Sequence, residues 1–221
     1  MKIPFLPLAC AGALAALTWT ASCTNSDSGA ACGPVKADAT TGATKAYTDG
    51  DRGTPPPAAE GYQVLGAKDG LKTWVVKYDD RLLRGGEFFN EKAGQTMASL
   101  GVKTVISVTP NDRERELCRK SGLALVEIPF GKEKGPSPED LRRFIETVKT
   151  GKAPFYVHCV GGTHRGGVLG VAYRVHVLGW PYEKALVEYG RLGGDLKADH
   201  AMLETVRAYR PSDLGPKADP R

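Results

Sequence analysis

The chain has 221 residues, of which 41% are hydrophobic and 25% are charged, and its formal net charge is +5. These values are typical of one globular domain with a sizeable core. The charge is mild, basic residues form no run of five or more, and aromatic residues do not interleave with them. The sequence therefore argues against nucleic-acid binding.

Residues 1–22 have the organisation of a secretory signal. Lys2 supplies a positive charge, residues 3–19 are mainly apolar, and small residues precede Cys23. The small residues before this cysteine resemble a bacterial lipobox, in which Cys23 would be acylated. A retained membrane anchor is disfavoured because two prolines interrupt the run and it falls short of about 20 apolar residues. We expect an exported lipoprotein, held to a membrane by its lipid anchor and facing the periplasm or lying at the cell surface.

Residues 23–60 are rich in Ser, Thr, Gly, Ala, Asp and Pro and have few large apolar side chains. Such a segment predicts a disordered tether, which leaves residues 61–221 as the folded domain. The alternative is a loop-rich subdomain pinned by Cys32. With Cys10 in the signal and Cys23 acylated, an odd number of cysteines remains in the mature chain, so at least one free thiol is expected.

From residue 62 onward, short apolar runs alternate with helical patterns. Three strands are predicted first, at 62–66, 73–78 and 81–86, with Gly85 and Gly86 forming a turn. A helix over 90–101 is predicted to present one face, made of Ala93, Met97, Ala98 and Leu100. The later elements alternate as strand 102–108, helix 111–122, strand 123–130, helix 137–151, strand 153–159 and helices 165–179, 181–194 and 199–210.

This alternation predicts the α/β class, with a largely parallel central sheet covered by helices. The helix over 137–151 carries a clear start signal, with Ser137 as N-cap and Pro138 in the first helical position. Ligands of such sheets bind beyond the carboxyl ends of the strands. Cys159 stands at one of these ends.

The segment His158 to Gly167, "HCVGGTHRGG", joins a predicted buried strand to a predicted helix. A helix N-terminus and successive backbone N–H groups attract an anion and favour a cysteine thiolate there. Arg165 can present its planar fork to two oxygens of a tetrahedral oxyanion, and glycines allow the main chain to curl around it. The alternative is a buried structural cysteine with a surface arginine, but it does not explain the spacing.

Cys159 and Arg165, six residues apart and preceded by a histidine, resemble the signature loop of the cysteine-based protein tyrosine and dual-specificity phosphatases. The resemblance covers roughly residues 78–189, and "GTHRGG" and "IPFGKEKG" are similar to the atypical plant-and-fungal-type branch. It implies a phosphotyrosine-phosphatase-like fold and a hydrolase in which Cys159 forms a phosphocysteine and Arg165 holds the phosphate oxygens. The residues expected to bind substrate through the loop are Val160, Gly161, Gly162, Thr163, His164 and Gly166. No metal or other cofactor is expected, because Arg165 and the loop amides supply the positive charge.

The residue after the signature arginine is usually Ser or Thr in this family, and here it is Gly166. The hydroxyl helps the thiolate to leave in the second step, and Thr163 lies in a different part of the loop. We therefore expect slow turnover with accumulation of the phosphoenzyme.

The family's general acid is usually an aspartate in the loop before the helix that precedes the signature strand. In the matching segment, "FGKEKGPSPED", Glu133 is the only acid in the part before the helix, and it is our choice. Asp140 fits better as a residue that complements the helix dipole. Asp112 follows another strand and could also face the site.

Other polar residues near the signature loop have two interpretations each. His164 could contact the substrate phosphate or pack on the outer surface of the loop. His158 could carry a proton, but it is expected instead to shape the loop by an internal hydrogen bond. Lys132 and Lys134 would suit a polyanionic substrate or be ordinary solvated lysines.

The sequence thus predicts a monomeric, membrane-tethered protein phosphatase of tyrosine or dual specificity. An inositol polyphosphate phosphatase and a phosphate-binding pseudophosphatase are the alternatives. A sulfur-transfer domain also uses a loop cysteine, but it does not combine a phosphate-binding loop with an arginine six residues after that cysteine.

Overall fold

Short apolar runs form the strands of a six-stranded sheet. In the computed structural model, which describes residues 56–214, the strands are β1 (Gln63–Ala67), β2 (Trp74–Lys77), β3 (Leu82–Gly86), β4 (Thr104–Ser107), β5 (Ala124–Glu127) and β6 (Phe155–Cys159). Their order across the sheet is β1-β2-β3-β6-β4-β5. The four strands from β3 to β5 are parallel, and β1 and β2 extend the β3 edge in antiparallel pairs. The prediction of an α/β domain with a largely parallel central sheet is confirmed.

Helices cover both faces of this sheet. They are α1 (Lys92–Ser99), α2 (Asp112–Lys120), α3 (Pro138–Thr150), α4 (Arg165–Ala172), α5 (Tyr182–Arg191) and α6 (His200–Ala208). A π-helical turn (Tyr173–Val177) continues α4, and a 3₁₀ turn (Pro211–Leu214) follows α6. The predicted helix over 165–179 is therefore α-helical only in its first half.

Two apolar clusters lie on opposite sides of the sheet because successive strand residues point to opposite faces. On one side, Tyr156 of β6 packs with residues of α1 and α2 such as Met97 and Leu117. On the other side, Val157 and Cys159 pack with residues of α3 to α6. The strand that ends in Cys159 is fully buried, and it lies between β3 and β4 at the centre of the parallel sheet.

The start of α3 follows the predicted capping pattern. The Ser137 hydroxyl accepts a hydrogen bond from the Asp140 N–H, and the Asp140 carboxylate accepts one from the Ser137 N–H, with Pro138 in the first turn. Two of the helix's otherwise unpaired N-terminal donors are satisfied in this way. Asp140 therefore caps the N-terminus of α3, in agreement with its predicted role at the helix dipole.

Two local predictions were wrong. Gly85 and Gly86 do not form a turn, because they are paired in β3 with His158 and Cys159 of β6. A Cβ atom at Gly85 would lie 2.3 Å from the Tyr156 hydroxyl. Glycine is therefore needed here because Tyr156 packs closely against the backbone of β3, and the chain does not turn at this position. The buried face of α1 consists of Ala93, Gly94, Thr96 and Met97, while Ala98 is exposed.

The predicted signal, the lipidation residue Cys23 and most of the predicted tether lie outside the described residues. The last residues assigned to the tether contact the domain, since Pro56 is buried and the Tyr62 hydroxyl donates a hydrogen bond to the Pro57 carbonyl at 2.8 Å. Within residues 56–214, none of the helices has the length and apolar character needed to cross a membrane.

Candidate active site

The loop between β6 and α4 lies at the carboxyl edge of the sheet. β6 ends at Cys159, a free cysteine that is only 4% exposed, and α4 begins at Arg165. The first N–H groups of a helix have no intrahelical partner and form a binding site for anions. The structure therefore places the sequence-predicted nucleophile and the predicted phosphate cradle together.

The neighbouring strand β3 holds the first half of the loop. The Glu87 N–H, directly after β3, donates to the Val160 carbonyl at 3.2 Å, and the Thr73 hydroxyl donates to the Gly161 carbonyl at 3.2 Å. The carbonyls of Val160 and Gly161 are therefore occupied by hydrogen bonds to protein groups outside the loop. The Thr163 hydroxyl also bonds to the Gly161 carbonyl, at 3.3 Å, so it stabilises the loop from within.

Gly162 is the residue at which the loop most clearly requires glycine. Its φ of +72° lies in the left-handed region, and a Cβ atom there would be 2.3 Å from the carbonyl carbon and oxygen of Gly85. Only a residue without Cβ combines this conformation with this approach. The glycines of β3 and of the loop therefore fit together as one close contact.

Arg165 reaches across the loop to the segment after β5. Its Nη1 lies 3.4 Å from the Phe130 carbonyl, and its Nε is buried with no hydrogen-bond partner among the described residues. An unpaired buried guanidinium N–H is costly unless a ligand satisfies it. This donor is available to an oxygen of a tetrahedral anion held above Cys159.

The loop that follows β5 carries Glu133, the predicted general acid. Residues 131–135 form a tight turn closed by a hydrogen bond from the Gly135 N–H to the Gly131 carbonyl at 3.1 Å. Glu133 is exposed in this turn, between Lys132 and Lys134, which are also exposed. The turn starts directly after Phe130, the residue that contacts Arg165, so it borders the site.

Asp112, the other acid considered from the sequence, is the first residue of α2. Its side chain is 99% exposed, and its carboxylate accepts a hydrogen bond from Arg115 at 2.6 Å. Arg115 also binds Glu127 at the end of the edge strand β5. Asp112 therefore takes part in a surface ion pair at the edge of the sheet.

His158 takes part in a buried hydrogen-bond network that the sequence interpretation did not identify in full. Its Nε2 hydrogen-bonds the carboxylate of Glu114 from α2, and the Ser107 hydroxyl donates to the other Glu114 oxygen at 2.7 Å. The internal hydrogen bond expected for His158 is thus present. Glu114, which was not predicted as the partner of His158, is buried against β6.

His164 is held by a carboxylate that lies 35 residues away in the chain. Its Nδ1 is 2.5 Å from an oxygen of Asp199, the N-cap residue of α6. The same oxygen accepts hydrogen bonds from the Tyr189 hydroxyl and from the Asp195 N–H. Asp199, which sequence reasoning did not select, is 2% exposed.

Gly166 leaves room for a side chain at the start of α4. A Cβ atom there would lie 3.5 Å from the Cys159 nitrogen and 3.6 Å from His158 backbone atoms, which is ordinary contact. Gly167 and Gly170 differ, because a Cβ would lie within 2.6 Å of Tyr189 and 2.1 Å of Tyr78, respectively. Gly167 and Gly170 therefore allow the close packing of α4, and Gly166 is not required for it.

Burial changes the acidity of groups around the site. It raises the pKa of the Tyr156 phenol, on the strand of the nucleophile, and that of Tyr189 beside Asp199. Burial, with a smaller effect from Glu114, raises the pKa of the Cys118 thiol to about 12. Cys118 belongs to the apolar cluster on the other side of the sheet from Cys159. No cluster of three or more His, Cys, Asp or Glu side chains suited to a metal ion occurs in residues 56–214.

The fold and the site together define the class of the protein. A nucleophilic cysteine and an arginine six residues later, on a strand–loop–helix unit at the carboxyl edge of a parallel sheet, are the features of cysteine-based phosphatases. Residues 63–192, more than half of the chain, match the family described as "DSP-PTPase phosphatase fused to NAD+ Kinase". The chain belongs to this dual-specificity-type phosphatase family.

Solved structures share the fold at low sequence identity. A variant of P. aeruginosa TpbA in complex with pTyr superposes with a TM-score of 0.57 and 19% identity, over 69% of this chain and 93% of that one. The catalytic core of the PP-IP phosphatase SIW14 from S. cerevisiae gives a TM-score of 0.51 and 18% identity, over 60% and 83%. The mouse protein phosphatase Slingshot homolog 3 is 29% identical over 75 residues, which is 34% of this chain and 12% of the mouse protein. The chain thus spans only a small part of that relative's length.

Proposed function

We propose that this chain is a phosphomonoesterase of the protein tyrosine and dual-specificity type that works through a phosphocysteine. One observation carries the proposal: Cys159 ends a buried central strand, the following loop leads into α4, and the Nε–H of Arg165 at the start of α4 is buried with no partner among the described residues. A thiolate in this position can attack phosphorus while Arg165 and the loop N–H groups hold the other oxygens.

The reaction has two steps. The Cys159 sulfur attacks phosphorus, the bond from phosphorus to the alcohol oxygen breaks, and that oxygen takes up a proton. Water then attacks the phosphocysteine, the S–P bond breaks and inorganic phosphate leaves, so a proton must be removed from the water. Glu133 is the residue predicted from the sequence for this transfer, and it is exposed in the turn after Phe130.

Hydrolysis of para-nitrophenyl phosphate tests the activity directly. We expect phosphate release by the wild type, loss of release by Cys159→Ser, and retention by Cys118→Ser, which alters the other described free cysteine. Circular dichroism of each variant checks the fold. Tight phosphate binding by a wild type that releases no product would instead support the pseudophosphatase.

A second candidate substrate class is inositol polyphosphates, favoured by two exposed cations beside the site. Lys132 and Lys134 flank Glu133 in the turn after β5, and both are exposed. A panel of phosphotyrosine peptides, phosphoserine peptides and inositol phosphates would assign the substrate. If polyphosphates are used, Lys132→Ala with Lys134→Ala should lower kcat/KM for them while hydrolysis of para-nitrophenyl phosphate changes little.

The location of the enzyme follows as a separate proposal from the N-terminal sequence. Acylation of Cys23 would tether the domain to a membrane outside the cytoplasm, with the catalytic domain on a tether of about 30 residues. Cell fractionation and mass analysis of the N-terminal peptide test this proposal. Cys23→Ala should move the protein from the membrane to the soluble fraction, and equal fractionation of both proteins would contradict it.

A further inference from the structure

The contact between His164 and Asp199 joins the signature loop to the start of α6. His164 directly precedes Arg165, and its side chain is 36% exposed, whereas that of Asp199 is 2% exposed. The Asp199 oxygen that binds His164 also accepts hydrogen bonds from Tyr189 and from the Asp195 N–H. A buried carboxylate therefore fixes the ring of a histidine that remains open to solvent on its other side.

This contact determines which ring nitrogen is free. An ionised carboxylate only accepts hydrogen bonds, so Nδ1 of His164 carries the proton in their bond. The other nitrogen, Nε2, has no hydrogen-bond partner among residues 56–214. An oriented imidazole with a free Nε2, backed by a carboxylate on Nδ1, is the arrangement that proteins use for proton transfer.

We propose that His164, positioned by Asp199, transfers the proton in both steps of the reaction, and that Glu133 does not. This inference rests on the phosphatase activity proposed above. His164 is then a catalytic residue of the signature loop, and Asp199 is a positioning residue that acts through it.

The proton balance is complete with this one group. As the sulfur of Cys159 attacks, the His164 imidazolium donates its Nε2 proton to the leaving oxygen and becomes neutral. In the second step, neutral Nε2 accepts a proton from the attacking water as the S–P bond breaks. The enzyme returns to a thiolate and an imidazolium, and the products are the alcohol and inorganic phosphate.

Charged groups from several elements face His164. Asp199 at the start of α6 and Asp195 in the preceding loop are acidic, Tyr189 of α5 binds the same Asp199 oxygen, and Arg165 and Cys159 lie in the signature loop. The nearby His164 charge contributes to a lowered pKa of Asp195, after the hydrogen bonds from Ala198 and Lys197. The imidazolium that the first step needs therefore has two carboxylates as neighbours, Asp199 and Asp195.

The test compares two substrates that differ in their need for a proton. Para-nitrophenolate leaves without protonation, whereas the phenolate of phenyl phosphate is a poor leaving group. For His164→Gln we expect kcat/KM to fall about 10²- to 10⁴-fold on phenyl phosphate and much less on para-nitrophenyl phosphate. Asp199→Asn should show the same pattern in weaker form.

Two further variants serve as comparisons. Glu133→Gln should leave the ratio of the two substrates unchanged, as should His200→Gln, which alters an exposed histidine next to Asp199. Imidazole added to His164→Ala should restore part of the phenyl phosphate activity, an effect that a purely structural role would not produce. His164→Gln and the imidazole rescue carry the test if Asp199→Asn does not fold.

The outcomes separate this inference from the proposed function. If the wild type hydrolyses para-nitrophenyl phosphate and Cys159→Ser does not, the phosphatase activity stands. Equal losses on both substrates in His164→Gln, or the selective loss in Glu133→Gln, would then overturn the role of His164 alone. A wild type that hydrolyses neither substrate would overturn both.

Discussion

Gly166→Ser should increase the turnover of this enzyme. Gly166 stands where related phosphatases place a hydroxyl that stabilises the departing thiolate in the second step. The structure has room for the change, because the nearest atoms to a Cβ at this position would be backbone atoms of Cys159 and His158, at 3.5 Å and 3.6 Å. A serine can therefore be introduced at the start of α4 without displacing its neighbours.

The expected size of the effect follows from one hydrogen bond to a charged group. Such a bond contributes about 1.5–3 kcal/mol. Because each 1.36 kcal/mol changes a rate tenfold, stabilisation of the leaving thiolate should accelerate hydrolysis of the phosphocysteine by roughly 10- to 100-fold. The upper value applies only if the bond forms fully in the transition state of S–P cleavage.

Rapid-quench kinetics with para-nitrophenyl phosphate measures this step. The wild type should show a burst of nitrophenol followed by slow turnover, with phosphoenzyme visible in the intact mass. Gly166→Ser should reduce the burst relative to the steady rate and increase kcat, whereas Gly166→Ala, which adds the same Cβ without a hydroxyl, should not. Fast steady turnover of the wild type without a burst, or equal gains in both variants, would refute the reasoning.

The remaining predictions concern the loop and two buried groups. Gly162→Ala should abolish turnover, because Gly162 has a φ of +72° and approaches the neighbouring strand closely. Gly161→Ala should reduce turnover less, because no atom lies within 4 Å of its Cβ position. Equal losses of turnover in the two variants would contradict this prediction. Because burial raises the pKa of Cys118 to about 12, iodoacetamide at pH 8 should modify Cys159 and leave Cys118 unmodified in peptide mass maps of the folded protein. Burial also lowers the pKa of His176, so the unfolded chain binds a proton more readily and stability to urea should decrease below about pH 6.5. His176→Gln should reduce this dependence, and an unchanged pH dependence would refute it.

Local patterns were sufficient to predict most of the fold and the centre of the site. The strands β4, β5 and β6 are short apolar runs between glycines, prolines and polar residues, and α3 has a complete start signal at Ser137. Cys159 and Arg165 are close in sequence, so the loop that joins them is itself a local pattern. The strand before and the helix after this loop then place both residues at the carboxyl edge of the sheet.

Gly85 and Gly86 show where local patterns fail. Two adjacent glycines usually indicate a turn, and nothing within the preceding strand contradicts that interpretation. The requirement for glycine comes from across the sheet, where Tyr156 of β6 and Gly162 of the loop approach the backbone of β3. Such a requirement depends on which strands are neighbours, and that order becomes known only with the topology.

The acids Glu114 and Asp199 were missed for a similar reason, although the sequence contains a signal for each. Neither is close in sequence to the histidine that it binds, and Glu114 stands in a run of charges where its neighbours are exposed. Residues three and four positions apart share one face of a helix, and Glu114 is followed at these positions by buried Leu117 and Cys118.

The same spacing applies to Asp199, which is followed at three and four positions by Met202 and Leu203, both buried. A carboxylate that begins an apolar stripe must find a buried partner, because an unpaired charge inside a protein is costly. In a chain whose signature loop contains two histidines, each such carboxylate has a candidate partner. Helical spacing can therefore identify buried acids that are candidates to bind an active-site histidine. The fold then determines which histidine each acid binds.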